Sequence, residues 1–352
     1  METSSANKIQ KHLYIFNLST DENNNILSFT QDWVLAFNEI VTNVSVISTW
    51  VGSHSLPYNI KVTQIGGGNL IHRGSALIRL AKVGVAIVKN RREAIVFHHM
   101  SSRTAALLGP LFCITGIKQG LWYSHSSVTR ELLFAERYMN KLFSSSIESL
   151  PISSMKSRFT GHGINIAHFP KFQPHSRSQA VLSLGRIARI KKNEALIDAI
   201  SKSSRTVKEV HLVGPTGTSN EYLNELTEYG SKKGVSVKYL GEVSHRNVAE
   251  LLSRYSICYT GNPNTVDKSV IEGALSGCFT LSGQEFVLKQ TGMSFVLEKA
   301  GFPFEADLTD QILVLDELFE NEELRLVLRD QATRKNSVQN TASLIVNELL
   351  AP

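Results

Sequence analysis

Hydrophobic positions in this chain fall into short β-rich runs and longer helical stripes, and the two alternate almost from one end to the other. His12 to Leu18 (HLYIFNL) reads as a strand, and the polar STDENNN after it as a loop at the strand's carboxyl end. Trp33, Val34, Phe37 and Val41 share one stripe, which predicts a helix over about 30–41. Strands follow at 44–49 and 60–65, the second running into Gly66-Gly67-Gly68-Asn69 before a helical segment around Leu77 to Ala81. Three later segments, AIVFHH (94–99), GLWYSH (120–125) and SRFTGHG (157–163), each read as a strand whose carboxyl end delivers histidine. Helices are expected to begin near Ser102 and Ser127 after the first two.

The pattern restarts beyond a Pro-containing polar link, FPKFQPHSRS (169–178). A buried-type strand at 180–184 is closed by Gly185-Arg186, and Lys191-Lys192 precede a helix over about 193–201. A strand at 207–213 leads through Gly214-Pro215-Thr216-Gly217 to a helix ending near Lys233. A strand at 235–240 leads through Gly241-Glu242 to a helix expected to be capped by Ser244. Then comes 256–259, a Gly/Pro/Asn loop, a helix ending at Gly277 that sets Lys268 and Glu272 one turn apart, and an apolar run at 278–281. From Asp310 to Leu350 the apolar spacing is again helical. Strands alternating with helices imply parallel sheets. The expected fold is therefore α/β, with two Rossmann-like domains over 1–168 and 169–330 facing a cleft, and a C-terminal helix over 331–352.

Composition supports that division. The chain has 352 residues, 42% hydrophobic and 19% charged, enough for two globular domains. No apolar run reaches the roughly 18 residues that span a bilayer, and the opening METSSANKIQK lacks the apolar core of a secretion signal. A cytoplasmic protein is expected. Cys113, Cys258 and Cys278 lie far apart in apolar surroundings, so they read as buried free thiols rather than a zinc site or disulfide framework. Charge is uneven along the chain. Residues 1–170 hold 16 of the 37 Lys/Arg but 9 of the 31 Asp/Glu, leaving 21 against 22 in the remainder. A basic first half attracts a phosphorylated substrate or an anionic membrane surface, or is simply a solvated surface. No Arg-rich or aromatic-interleaved segment singles out nucleic acid.

Candidate chemistry gathers at the ends of strands. Gly66 and Gly67 would let a ligand approach the backbone, although a plain tight turn needs the same residues. No acid stands at the end of the next strand, which argues against a dinucleotide site. Arg186 offers a planar fork and Lys191 a point charge, both suited to phosphate oxygens, and either alone is equally consistent with a surface charge. Glu272 could accept two hydroxyl hydrogens from a ribose. Hydrogen bonding to a polar ligand suits the strand-end histidines better than metal binding, because no H-E-x-x-H or comparable spacing is present.

GHGINIAHF (161–169), LGRIARIKK (184–192), LVGPTG (212–217), VKYLGEVSHRNVAELLSRYSICYTGN (237–262) and DKSVIEGALSGCF (267–279) together resemble the retaining GT-B glycosyltransferases of the large mannosyl- and glucosyltransferase family, glycosyl transferases group 1. The likeness covers the second half in register and the first half loosely, through GGGN and WYSHSS. It implies an enzyme, a metal-independent hexosyltransferase that takes a UDP- or GDP-linked sugar and passes it to a hydroxyl of a glycan, lipid-linked or polymer acceptor. It implies that Arg186 and Lys191 hold the donor diphosphate, Glu272 the ribose, and the backbone from Gly241 to Val243 the base, with Gly214 beside them. It places His125 near the donor sugar, Gly66 and Gly67 under the diphosphate, and the terminal helix back against the first domain. Asn264 stands where the family has the first of two glutamates, and Lys268 is expected to meet the diphosphate or an acidic group on the sugar. No cofactor or metal is implied, nucleic acid is not a partner, and peripheral contact with the inner face of an anionic membrane is expected. A sugar-nucleotide epimerase of the same architecture and a non-catalytic sugar-nucleotide-binding protein are the alternatives.

Overall fold

Both sets of β-rich runs become parallel sheets, each in its own unit. The computed structural model describes residues 8–24, 27–66, 70–169, 177–302 and 307–351. Unit 1 comprises residues 1–165 and 337–352, and unit 2 residues 166–336.

In unit 1 the chain runs β1 (Ile9–Thr20), α1 (Thr30–Ile40), β2 (Val41–Val51), β3 (Lys61–Gln64), α2 (Leu70–Lys89), β4 (Ala94–His99), α3 (Ser102–Ile114), β5 (Lys118–Trp122), α4 (Arg130–Tyr138), β6 (Lys141–Ser144) and β7 (Ser157–Phe159). The seven strands lie in the order β3-β2-β1-β4-β5-β6-β7, all parallel. One face packs Trp33, Phe37, Phe97 and Phe143. The other packs Phe16 and Val96 against Leu80 and Ile87 of α2 and Leu108 and Phe112 of α3.

Burial on both faces overturns the expectation for the histidines of AIVFHH. Both faces of a parallel sheet are covered, so successive residues of a central strand are all interior. His98 is 0% and His99 3% exposed. His98 stacks on Phe16 at 4.9 Å and His99 on Trp33 at 4.4 Å. Burial drives both imidazoles down to a pKa of about 3, so they are neutral core side chains. The glycines of GHG have a packing reason too. Gly163 has φ +62°, a Cβ there would lie 2.3 Å from Trp33 Cζ2, and its carbonyl accepts the Trp33 indole N–H at 2.9 Å.

Unit 2 runs β8 (Ser178–Leu184), α5 (Asn193–Lys202), β9 (Glu209–Val213), α6 (Glu221–Lys232), β10 (Ser236–Tyr239), α7 (Val248–Ser253), β11 (Tyr255–Tyr259), α8 (Lys268–Leu275), β12 (Phe279–Leu281), then α9 (Glu285–Thr291), α10 (Met293–Lys299), α11 (Leu308–Glu317) and α12 (Glu322–Asn336). Its five parallel strands have the order β10-β9-β8-β11-β12. Ser244 does not cap α7 with its side chain. A 3-10 turn over His245–Asn247 intervenes, and the Ser244 carbonyl accepts the Asn247 N–H at 2.9 Å. At the other end of its helix, Gly277 does stop α8. It has φ +79°, and the Cys278 N–H reaches back to the Gly273 carbonyl at 2.9 Å, as a left-handed C′ glycine allows.

Three arginines close that same end of α8. Arg177 donates to Ser276 O (3.0 Å) and Tyr255 O (2.7 Å), Arg325 to Gly277 O (2.7 Å), and Arg329 to Leu275 O. Three successive carbonyls at the negative end of the helix thus each accept from a guanidinium, which satisfies orphan acceptors and opposes the helix dipole.

The last helix, α13 (Val338–Leu350), rejoins unit 1, where Val338, Ala342, Ile345, Val346 and Leu349 enter the core beside Trp33 and Phe37. The Val338 N–H donates to Ile164 O at 2.9 Å, so the outgoing and returning chains run side by side. Residues 331–336 finish α12 in unit 2, so the return begins at Ser337, six residues later than the apolar spacing suggests. Cys258 and Cys278 are buried as expected, but Cys113 is exposed on α3. Among the described residues no helix is long and apolar enough to cross a membrane.

Candidate functional site

Each sheet reverses its winding next to its first strand, between β1 and β4 in unit 1 and between β8 and β11 in unit 2. In open α/β sheets the helices on either side of such a switch diverge to opposite faces, leaving a crevice at the carboxyl ends of the strands. The residues of interest collect at those two places.

In unit 2, Gly185 (φ +124°) follows β8 and Gly214 (φ +135°) follows β9. A Cβ on Gly214 would lie 2.3 Å from Gly185 O, and the Gly214 N–H donates to Gly241 O at 2.9 Å, so the strand ends of β8, β9 and β10 close tightly on one another. Val243 is half-buried just beyond. Over Gly185 lies Lys191, whose Nζ would be 3.2 Å from a Cβ built there. The missing side chain is what gives the lysine its room. Ser269, in the first turn of α8, donates to Leu184 O at 2.8 Å and ties the amino end of that helix to the same spot.

Lys191 does not stand alone. Its Nζ is 2.6 Å from Asp267 Oδ2, and the two side chains are 12% and 15% exposed. Asp267 Oδ2 also accepts from the Thr260 hydroxyl, and Oδ1 from Asn262 Nδ2 at 3.1 Å. Burial raises the Asp267 carboxyl, but the Lys191 charge and these hydrogen bonds outweigh it and hold the pKa below the usual carboxylate range. A depressed acid stabilises the fold above its unfolded pKa and ceases to do so as pH falls through the lower folded value. Asp267→Asn should therefore lower Tm by a constant amount from neutral pH to just above pH ~4, with the gap to wild type shrinking below that. A pH series of thermal melts reads it, and a gap independent of pH from neutral to strongly acid would refute the assignment.

Asp267 is the residue that sequence reasoning passed over. An aspartate immediately before a helix reads as an N-cap, yet this one makes no side-chain cap bond to α8 and faces the network instead. Thr260, Asn262 and Gly261 join it from the end of β11. A Cβ on Gly261 would meet Lys191 O at 2.5 Å, and Tyr259 Oη donates to Lys192 O at 2.8 Å, which packs the β11 end against the Lys191–Lys192 turn. Lys192 sits there at φ +49°, a strained position for a residue with a side chain.

Of the sequence-derived candidates in this unit, Lys268 and Glu272 are paired with each other across one turn of α8, at 3.2 Å. Glu272 is mid-helix and 4% exposed. Arg186 is exposed and makes no hydrogen bond or ion pair among the described residues. Asn264 is exposed, its backbone N–H bonded to Asn262 Oδ1 at 3.1 Å.

In unit 1 a cavity of about 720 Å³ opens at the switch point, lined by Leu18, Gly66, Leu77, Met100, Ser101 and Leu107 among others. Met100 has φ +54°, so the strained non-glycine residues at +φ among those described stand one at each switch point. Gly66 is required by packing, because a Cβ would lie 2.4 Å from Thr49 O. Gly67 lies outside the described residues. His125 is exposed on the loop after β5. Its Nδ1 accepts the Ser127 backbone N–H at 3.0 Å, and its backbone N–H donates to Ser149 O at 3.0 Å.

Several solved structures share this fold over nearly the whole length of the chain. HepE of Anabaena, crystallised with UDP, covers 97% of this chain and 99% of its own at TM-score 0.68 and 14% identity. This chain has the two-domain GT-B fold. A glycosyltransferase from Rickettsia africae matches the fold at TM-score 0.66 and 14% identity, over 97% of this chain and 98% of that one. Sucrose-phosphate synthase from Thermosynechococcus elongatus matches at 0.64 and 14%, over 96% and 98%. No family model matches the sequence, and no curated protein does. At this distance the GT-B likeness is one of backbone, and the chemistry has to be argued from the side chains.

Proposed function

We propose that this GT-B protein is a retaining glycosyltransferase that moves a hexose from a UDP- or GDP-linked donor to a hydroxyl of a glycan, lipid-linked or polymer acceptor. One observation carries the proposal. At the unit 2 switch point a half-buried, hydrogen-bonded lysine lies over a glycine whose missing side chain gives it room, with an unpaired arginine one residue from that glycine and a buried glutamate in the helix that docks there. Cations suit a diphosphate, and the acid suits a ribose. Several structures sharing the fold are glycosyltransferases, and HepE has been crystallised with UDP and with UDP-glucose.

In this reading Arg186 and Lys191 bind the diphosphate, Glu272 the ribose hydroxyls, and the backbone near Gly214, Gly241 and Val243 the base. Lys268, 3.2 Å from Glu272, turns to the donor diphosphate or an acidic group on its sugar. Charge builds on the leaving diphosphate as the bond to the sugar breaks, and fixed cations stabilise that charge more than they stabilise the ground state. The acceptor attacks from the face the nucleotide leaves, its proton passing to the diphosphate, so no protein nucleophile is needed. Asn264 contributes an uncharged amide where the resembling family has an acid. Metal is dispensable because the two cations do its work, so chelator should leave turnover unchanged. The enzyme works in the cytoplasm, at the inner face of the membrane.

The test is a thermal-shift series with UDP, GDP and their sugars. A nucleotide at about a hundred times its Kd should stabilise the protein by about 2.7 kcal/mol, and Arg186→Ala should remove most of that shift without altering the unliganded Tm. No shift with any nucleoside diphosphate would end the proposal. A second reading is epimerisation, favoured by one GT-B likeness, a protein from Listeria monocytogenes described as a UDP-N-acetylglucosamine 2-epimerase (TM-score 0.54, 11% identity, 96% and 95% covered). Epimerisation needs no acceptor, so a new sugar nucleotide formed from donor alone would select it.

A further inference from the structure

The membrane part of the foregoing proposal does not say which surface meets the lipid, and unit 1 supplies a specific candidate. Helix α2 has 20 residues, about 30 Å of helix. One side of it, carrying Leu80, Gly84 and Ile87, is buried, and a Cβ on Gly84 would lie 3.0 Å from Leu108 of α3. The opposite side exposes Leu77 (56%), Ile78 (59%) and Val85 (52%), with Ala81, Lys82, Ala86 and Lys89 between and beside them. Spaced three and four apart, these positions form a single stripe. A helix lying on a soluble core ordinarily turns charged and polar residues to water. This one turns aliphatic side chains and lysine.

Its neighbour does the same. Helix α3 exposes Arg103, Leu107 (50%) and Ile114 (86%). From Leu70 to Arg130 the sequence holds nine Lys/Arg and one acid, Glu93. Lys82, Lys89 and Arg103 form no ion pair among the described residues. Exposed apolar side chains gathered on one face mark a surface that something covers. A second copy is a poor match, because a two-fold contact would set cationic faces against each other with no acid on α2 or α3 to pair them.

We propose that the outer face of α2 and α3 is a docking surface for an anionic lipid bilayer. The aliphatic residues enter the boundary between headgroups and acyl chains, while Lys82 and Lys89 extend their amines to the lipid phosphates. Leu77 and Leu107 belong both to this face and to the wall of the 720 Å³ cavity. A lipid-linked molecule in the bilayer therefore reaches the cavity without crossing water. This rests on the membrane-facing reading above and names the surface for it.

Vesicle flotation of the full chain tests it. The protein should float with vesicles of phosphatidylcholine containing about one part in three phosphatidylglycerol and stay behind with phosphatidylcholine alone, with binding weakened by salt. The pair Ile78→Glu and Val85→Glu should cut the bound fraction on the order of tenfold or more, and Lys82→Glu with Lys89→Glu should do likewise. All four positions are exposed, so the unliganded Tm should stay put. Failure of the wild type to float with anionic vesicles, or flotation unchanged in both variants, would overturn the proposal. So would a concentration-dependent dimer that the same substitutions abolish, which would give the face to a second copy. Nucleotide-induced thermal shifts read unit 2, so failure of the donor reading would appear there and leave flotation untouched.

Discussion

Lys191→Ala should abolish sugar transfer while leaving a folded protein, with kcat/KM falling by about 10²–10³, the cost of removing one charge-stabilising donor from a preorganised site. The lysine has little freedom to be replaced. It is held by Asp267 at 2.6 Å and sits over Gly185, whereas Lys192 beside it is exposed on a strained turn. Its removal also leaves the Asp267 carboxylate with hydroxyl and amide partners alone, so some Tm is lost. The double variant Lys191→Ala with Asp267→Asn separates the two effects. It should recover Tm without recovering turnover, and a double variant that transfers sugar at the wild-type rate would show that Lys191 serves the fold and not the donor.

Arg325→Leu should destabilise unit 2 by about 3–5 kcal/mol, because several buried carbonyls lose their donor at once. Arg325 is 0% exposed, donates to Ser256 O, Gly277 O and Phe319 O, and lies 4.3 Å over the Phe279 ring. Burial first, and the like charge of Arg177 second, lower its pKa to about 10, so it remains a cation at neutral pH. In a unit of this size the loss corresponds to a fall of roughly 10 °C in Tm. Thermal unfolding measures it, and a shift of a degree or less would mean that water replaces the guanidinium at all three carbonyls. Activity below the transition should be largely kept, since the clamp stands at the end of α8 away from Lys191.

What the sequence discloses depends on the range of the interaction. Strands that alternate with capped or glycine-stopped helices are local events, so β4, β8, α5 and the stop of α8 at Gly277 are readable from neighbouring residues. Four-residue β6 is too short to announce itself, and α9 and α10 carry no long stripe. The pairing of Lys191 with Asp267 joins residues 76 apart in the chain, and the local signal at Asp267 points to a different job. The arginine clamp is invisible for a related reason, since its acceptors are backbone carbonyls, which every residue has. His98 and His99 mislead because an end-of-strand position suggests exposure, whereas the uninterrupted apolar run before them already implies a strand covered on both faces. Arg186 is legible from its residue type at a strand end, whereas Asn264 is singled out only by likeness to the resembling family.

The return of α13 to unit 1 has a consequence for how the molecule is made. Translation proceeds from the amino end, yet the side chains that complete the first core, from Val338 to Leu349, emerge after the whole of unit 2. Unit 2 is contiguous and can close on the ribosome as soon as α12 is out. Until α13 arrives, the first 165 residues lack its part of the cover on the sheet face that α1 also packs. Biogenesis therefore reverses the usual N-terminal-first order, and the nascent chain is most in need of a chaperone during the interval between the synthesis of β7 and that of the final helix.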